Sequence, residues 1–180
     1  MERSLTMVAL FAALIAVLGL FPSFMLFTGV PISAQSLGVM LCGAVLGARR
    51  GALAVLLFLA LVALGLPLLA GGRGGLGAFV GPTAGFLYGF PVAAFVTGWI
   101  AEHWRGVDLS VSAGAGALIG GVLVLYAFGA VGMMLVVDLS PPEAVAALGA
   151  FIPGDMIKAV VAGLVTGAIY RARPGFVMTR

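Results

Sequence analysis

Apolar stretches near twenty residues long, separated by short glycine- or proline-marked connections, run through this sequence from end to end, and no other feature constrains its fold as tightly. A helix of about twenty apolar residues crosses the ~30 Å hydrocarbon core of a bilayer. With 63% of its 180 residues hydrophobic and 8% charged, the chain has too few polar side chains to cover a soluble domain. It reads as an integral membrane protein. Its 28 glycines suit helices packed backbone to backbone, since association in lipid depends on close van der Waals fit. Cys42 stands alone in an apolar run, which excludes an internal disulfide and suits a buried thiol. The net charge of +3 fits basic loops that orient a membrane protein, so nucleic acid is not an expected partner.

Six spans are expected. The first, Met1 to Phe21, could be read as a signal peptide, but no clear small-x-small cleavage site follows and five more hydrophobic segments need a partner. Pro22 to Pro31 makes a turn, Ile32 to Leu46 forms the second span, and Gly47 to Gly51 is a short basic loop carrying Arg49 and Arg50. Ala52 to Leu69 is the third span, bent or ended by Pro67. Pro82 suits the first turn of a fourth span reaching about Ile100, followed by a polar connection with Glu102, His103, Arg105 and Asp108. Val111 to Val137 is long enough to tilt or break at its glycines. Asp138 to Ala150 is a loop containing a short helix, and Pro153 to Tyr170 is the sixth span. With both termini cytoplasmic, Arg3, Arg49, Arg50, Arg105, Arg171, Arg173 and Arg180 fall inside and only Arg73 outside, as the positive-inside rule requires. The expected fold class is therefore an all-α membrane protein of six transmembrane helices, a single domain over residues 1–180.

Chemistry concentrates in two stretches. GGRGGLGAFVGPTAGFLYGF, from Gly71 to Phe90, sets one arginine among glycines that permit close backbone approach. Arg73 could clamp a ligand carboxylate through two parallel hydrogen bonds, or it could be a solvated loop residue. The run lacks the Gly-Lys-Ser/Thr ending of a nucleotide cradle. The second stretch starts the last span: Asp155 and Lys158 are three residues apart and so share a helix face. An ionisable group at mid-span costs roughly 2.5–3.5 kcal/mol, so both need a reason. They form either a structural ion pair or a ligand site in which the carboxylate, stabilised by a helix start at Pro153 and Gly154, accepts from N–H donors.

Gln35, in PISAQSLG, could face a cavity or bond another helix. Gly75 belongs to the glycine-rich loop, and Phe79, Phe86 and Tyr88 could line a pocket for an apolar ring or chain. His103, beside Trp104, has no metal-ligand companions at suitable spacing, and no metal or resident cofactor is expected. No nucleophile and base share a depth, which argues against an intramembrane enzyme. On the first helix, Ala9 with Ala13 and Ala12 with Ala16 form two Ala-x-x-x-Ala pairs that would let another helix approach.

These residues together resemble the BioY family, the biotin-binding S components of energy-coupling-factor (ECF) transporters. VPISAQSLGVMLCGAVLGARRGALAV is similar to the family's second and third helices, GGRGGLGAFVGPTAGFLYGF to its glycine-rich loop and GPT-type motif, and FIPGDMIKAV to its P-G-D-x-x-K motif. Phe86 departs from the tyrosine expected after GPTxG, which removes a hydroxyl and leaves an aromatic surface. The resemblance implies the six-helix S-component fold in the bacterial cytoplasmic (inner) membrane, with an extracytoplasmic pocket for biotin as transported ligand. It carries Asp155 and Lys158 over as binding residues. It also implies a transmembrane coupling (T) protein, docked on the alanine pairs of the first helix, and nucleotide-binding subunits that use ATP. Which cation, Arg73 or Lys158, takes the ligand carboxylate stays open, because Lys158 could instead neutralise Asp155. An S component for another vitamin, or a channel or packing protein, are the competing readings.

Overall fold

In lipid a backbone must satisfy its own hydrogen bonds, so the apolar stretches become helices and irregular backbone survives only where protein covers it. The computed structural model describes residues 2–180; Met1, where the first span was expected to begin, lies outside the described residues. The helices are α1 Glu2–Gly19, α2 Gln35–Leu46, α3 Ala48–Ala63, α4 Ala84–His103, α5 Leu109–Val136, α6 Pro141–Leu148 and α7 Ile152–Ala172. Of these α4, α5 and α7 are long and apolar enough to cross a membrane by themselves. The 12 residues of α2 reach only ~18 Å, well short of a bilayer core.

Several boundaries differ from those expected, each for a local reason. Pro31–Ile32 pairs as a strand (β2) with Phe24–Met25 (β1) in a small hairpin, which delays α2 to Gln35. α3 stops at Ala63, because Gly65 takes a left-handed φ of 100° and Pro67 follows. Pro82 precedes α4 rather than opening its first turn, and Thr83 is the N-cap. The glycines of α5 do not break it: Ile119–Val124 widens into a π-helical turn within one continuous helix.

α4 is the central element, packed against α2, α3 and α5, while α7 packs on α5 and α1 on α2 and α3. Small residues make these contacts possible. A Cβ on Gly85 of α4 or Gly132 of α5 would run into the backbone of the other, and a Cβ on Gly163 of α7 would run into the backbone of Ser110 and Gly114 of α5. The starts of α2, α4 and α7 gather at one end of the bundle. At the other end the segment after α7 folds back, Met178 N–H donating to Val45 O at 2.7 Å and Thr179 Oγ1 to Ala44 O at 3.1 Å. Those bonds satisfy carbonyls that the C-terminus of α2 leaves open.

Candidate functional site

The site begins with the first turn of α7. Pro153 suits that turn, and Asp155 lies in it, 4% exposed, where the helix dipole favours an anion. One turn on, Lys158 Nζ donates to Asp155 Oδ1 at 2.8 Å, to Ser36 Oγ at 3.0 Å and to Ser33 O at 2.7 Å. An ammonium has three protons, so this one is fully used within the protein. Ser36 Oγ donates to Asp155 Oδ1 at 3.0 Å, and Tyr126 of α5 donates its hydroxyl to Oδ2 at 2.9 Å. Each carboxylate oxygen can accept about two bonds. Oδ1 accepts its full pair, whereas Oδ2 has one acceptor position left. The lysine therefore acts as the counter-ion that allows the carboxylate to be buried, and the acceptor capacity that remains points away from it.

The second part is the turn between α3 and α4. Gly71 and Gly72 take φ of 77° and 69°, reversing the chain so that Leu69 N–H donates to Arg73 O at 2.9 Å. Gln35 holds this turn in place. Its Oε1 accepts from Ala70 N–H at 2.9 Å, and its Nε2 donates to Leu68 O at 3.1 Å and Ile15 O at 3.3 Å, joining the loop to α1 and α2. Arg73 donates Nε–H to Ala70 O at 3.1 Å, and its Nη groups have no protein partner among the described residues. Partial burial draws its guanidinium below its ordinary pKa, yet the group stays charged because that value starts so high.

Between the two parts lies a slot walled by Val30, Leu69, Thr83, Phe86, Leu87, Phe90, Leu125 and Phe151, with Arg73, Ser36, Asp155 and Lys158 on its polar sides. Phe86 and Phe151 stack obliquely with ring centroids 5.7 Å apart. The slot is narrow, with a cavity volume of about 50 Å³. That is room for a few waters, so any larger guest requires the walls to move apart. Thr83 Oγ1 is buried in this wall without a hydrogen-bond partner among the described residues.

The structure brings Arg73, Gln35, Phe86, Asp155 and Lys158 to this slot. Phe79, Tyr88 and Gly75 do not line it. Phe86 and Phe90 are four residues apart and share the inner face of α4; Tyr88, halfway between them, faces out and is 57% exposed. Its hydroxyl donates to Phe79 O at 3.1 Å beside a separate apolar groove formed with Phe128 and Val131. Gly75 donates its N–H to Val62 O at 2.8 Å, fastening the loop to α3. On α1, Ala9 and Ala13 are exposed, whereas Ala12 is buried and Ala16 half-buried, so one alanine pair faces outward and not both. The site residues missed in the sequence are Ser33, Ser36, Thr83, Phe90, Tyr126 and Phe151. Ser33 and Ser36 carried a signal, two hydroxyls three residues apart at a span start; Thr83 lies in the GPT-type motif without being singled out there, and Tyr126 carried no signal.

The sequence model of the BioY family matches residues 2–175. The biotin transporter BioY of Rhodobacter capsulatus is 56% identical over 189 residues, covering 100% of both chains. Its counterpart in Rhizobium etli is 53% identical, covering 96% of this chain and 95% of its own length. Among solved structures, the S component for biotin from an ECF-type ABC transporter superposes with a TM-score of 0.91 at 30% identity, covering 97% of this chain and 94% of its own.

Proposed function

The chain belongs to the BioY family, and from that premise we propose that it is the membrane-embedded S component that captures biotin for uptake by an ECF-type ABC transporter. It is not an enzyme. ATP is consumed by partner subunits, and biotin is its cargo. It lies in the bacterial inner membrane as a single multi-pass domain over residues 1–180.

The observation that carries this reading is the placement of a spare carboxylate acceptor and a guanidinium with unpartnered Nη groups on one aromatic slot. Biotin has the matching parts: a ureido ring with two N–H donors and a carbonyl, an apolar thioether ring and alkyl tail, and a terminal carboxylate. We assign a ureido N–H to Asp155 Oδ2, the ureido carbonyl to the Thr83 hydroxyl, the ring to Phe86, Phe90 and Phe151, and the carboxylate to Arg73. Arg73 is favoured over Lys158 for the carboxylate because the lysine's three donors are already satisfied. Gln35 acts through the loop it pins, and Ser36 and Tyr126 orient the Asp155 carboxylate.

Residues 64–83 are the candidate lid. The narrowness of the slot supports a loop that parts on entry and orders over bound ligand, and its left-handed glycines let the backbone change course at little strain. The exposed Ala9 and Ala13 face of α1 is the candidate docking surface for the T protein, which in turn engages the nucleotide-binding ATPase subunits. Equilibrium binding of labelled biotin to the purified chain tests the reading, with thiamine and riboflavin as competitors. Saturable binding displaced by biotin alone is expected; displacement by either competitor, or no binding, would reject it.

A further inference from the structure

The end of the bundle opposite the slot carries a second, wider opening of about 720 Å³, formed by the start of α1, the α2–α3 junction and the last turns of α4. Phe86 in the slot and Glu102 at this opening are sixteen residues apart on α4, about 24 Å along the helix, so the two sites do not overlap.

Its lining has two chemistries. Arg49 makes no side-chain hydrogen bond among the described residues, and Arg50 uses only Nε, donating to Ser4 Oγ at 3.2 Å. The carboxylate in the opening, Glu102, is turned aside: its Oε1 accepts from Ala48 N–H at 3.1 Å and closes the N-terminus of α3. Two guanidinium groups thus present most of their donors to the opening against one engaged anion. Beside them Leu53, Phe95 and Trp99 form an apolar wall, 55%, 42% and 51% exposed. Trp99 stacks on His103 with centroids 4.7 Å apart, and tryptophan favours the level where hydrocarbon gives way to headgroups. A soluble anion would leave that wall bare, and a neutral lipid would leave the arginines without a counter-charge.

We propose that this groove binds an anionic phospholipid, its phosphate between Arg49 and Arg50 and an acyl chain along Leu53, Phe95 and Trp99. Guanidinium groups suit phosphate because their paired donors match its oxygens, and the apolar wall confines a chain that would otherwise mix with bulk lipid. The proposal is independent of what the slot binds.

Trp99 reports on the groove directly. The chain has two tryptophans, so W104F leaves Trp99 as sole emitter. The full chain carrying W104F is reconstituted in phosphatidylcholine vesicles containing an equal mole fraction of either phosphatidylglycerol or phosphatidylcholine with brominated acyl chains, and quenching is measured. Two arginines near the surface predict a roughly 30-fold preference for the anionic lipid. Adding R49Q/R50Q should bring that preference close to unity, while R171Q/R173Q, which removes as much charge elsewhere, should keep it. Equal quenching by both lipids overturns the proposal. So does equal loss in the two double variants, which would indicate diffuse surface charge, and so does abolition of the preference by inorganic phosphate at constant ionic strength, which would make a soluble anion the ligand. Should R49Q/R50Q not fold, R49K/R50K keeps the test open: retention of the charge with loss of the paired donors is expected to lower the preference without abolishing it, and an unchanged preference would contradict the bidentate phosphate contact.

Discussion

Thr83 stands at the N-cap of α4 without acting as a cap: its side chain makes no capping hydrogen bond, and Oγ1 is buried without a partner among the described residues. Leaving a buried hydroxyl unpaired costs ~1–3 kcal/mol, and replacing it by an apolar group of the same shape removes the penalty. Thr83→Val makes that replacement with no cap to lose. The unliganded protein should therefore gain ~1 kcal/mol, a rise of ~2–4 °C in unfolding temperature for a chain of this length. Biotin should bind about tenfold more weakly, because its ureido carbonyl loses a donor worth roughly 1.4 kcal/mol. Stability and affinity thus move in opposite directions. Thr83→Ser, which retains the hydroxyl, should keep the affinity. Tryptophan-monitored melting without biotin and calorimetric titration with it read the two quantities separately. A Thr83→Val protein that melts lower yet binds biotin with unchanged affinity would show that the hydroxyl serves the fold and not the ligand.

Arg73→Gln should weaken biotin roughly 10- to 100-fold, the worth of a charge-assisted contact, and leave biotin methyl ester nearly unaffected; equal losses for acid and ester by competition binding would detach Arg73 from the carboxylate. Asp155→Asn should abolish measurable binding and also lower the melting temperature, since Lys158 would be left a partly buried cation without its counter-charge, a loss of at most ~3–5 kcal/mol. Full retention of affinity would remove the ureido assignment. Gln35→Ala should speed proteolysis and hydrogen exchange within residues 64–75, because both bonds that hold the loop disappear, together with the one that ties Gln35 to α1. At the start of α6, the Ser140 hydroxyl and backbone N–H both donate to Glu143 and hold its carboxyl below the usual range. A depressed folded-state pKa means that this contribution is present above the ordinary glutamate pKa and is lost as pH falls through the lowered value. Exchange across residues 141–148 should accordingly rise only in acid, and Ser140→Ala should move the onset to higher pH.

The fold was legible wherever hydrophobic length alone decides an element. The apolar runs named α1 through α5 and α7, and the loop 138–150 holds the short helix expected there, α6, opened by the Ser140–Glu143 capping box. Boundaries failed where tertiary pairing competed with helix propensity. Ile32 is apolar and belongs to the same run as α2, yet it pairs with Phe24 across the hairpin and leaves the helix. Gly120 and Gly121 looked like breakpoints because glycine is a poor helix former. In a tight bundle they serve the opposite end, since a Cβ on either would strike a neighbour, Ala93 O for the first and the Met40 side chain for the second.

The site was legible in its charges and obscure in its hydroxyls and faces, for a reason that lies in the cost of burial. A carboxylate and an ammonium inside an apolar span are expensive enough to announce themselves, so Asp155 and Lys158 stood out. A tyrosine hydroxyl costs far less and blends into a span, so Tyr126 could not be told from a packing residue, and the GPT-type motif that holds Thr83 gives its hydroxyl no role of its own. Facing was lost for a similar reason. Phe79, Phe86 and Tyr88 are equivalent as composition, and only the phase of α4 sends Phe86 to the slot and Tyr88 outward. The choice between the two cations lay further from reach, because it depends on counting occupied donors. Lys158 is satisfied by Asp155, Ser36 and Ser33, the last two more than a hundred residues away along the chain, whereas Arg73 sits in a turn that engages one of its five N–H groups. A single comparison carries the consequence: if Lys158→Met with Asp155→Asn restores folding but not biotin binding, while Arg73→Gln folds normally and rejects only carboxylate-bearing ligands, the division of labour between counter-ion and ligand anchor follows from that count.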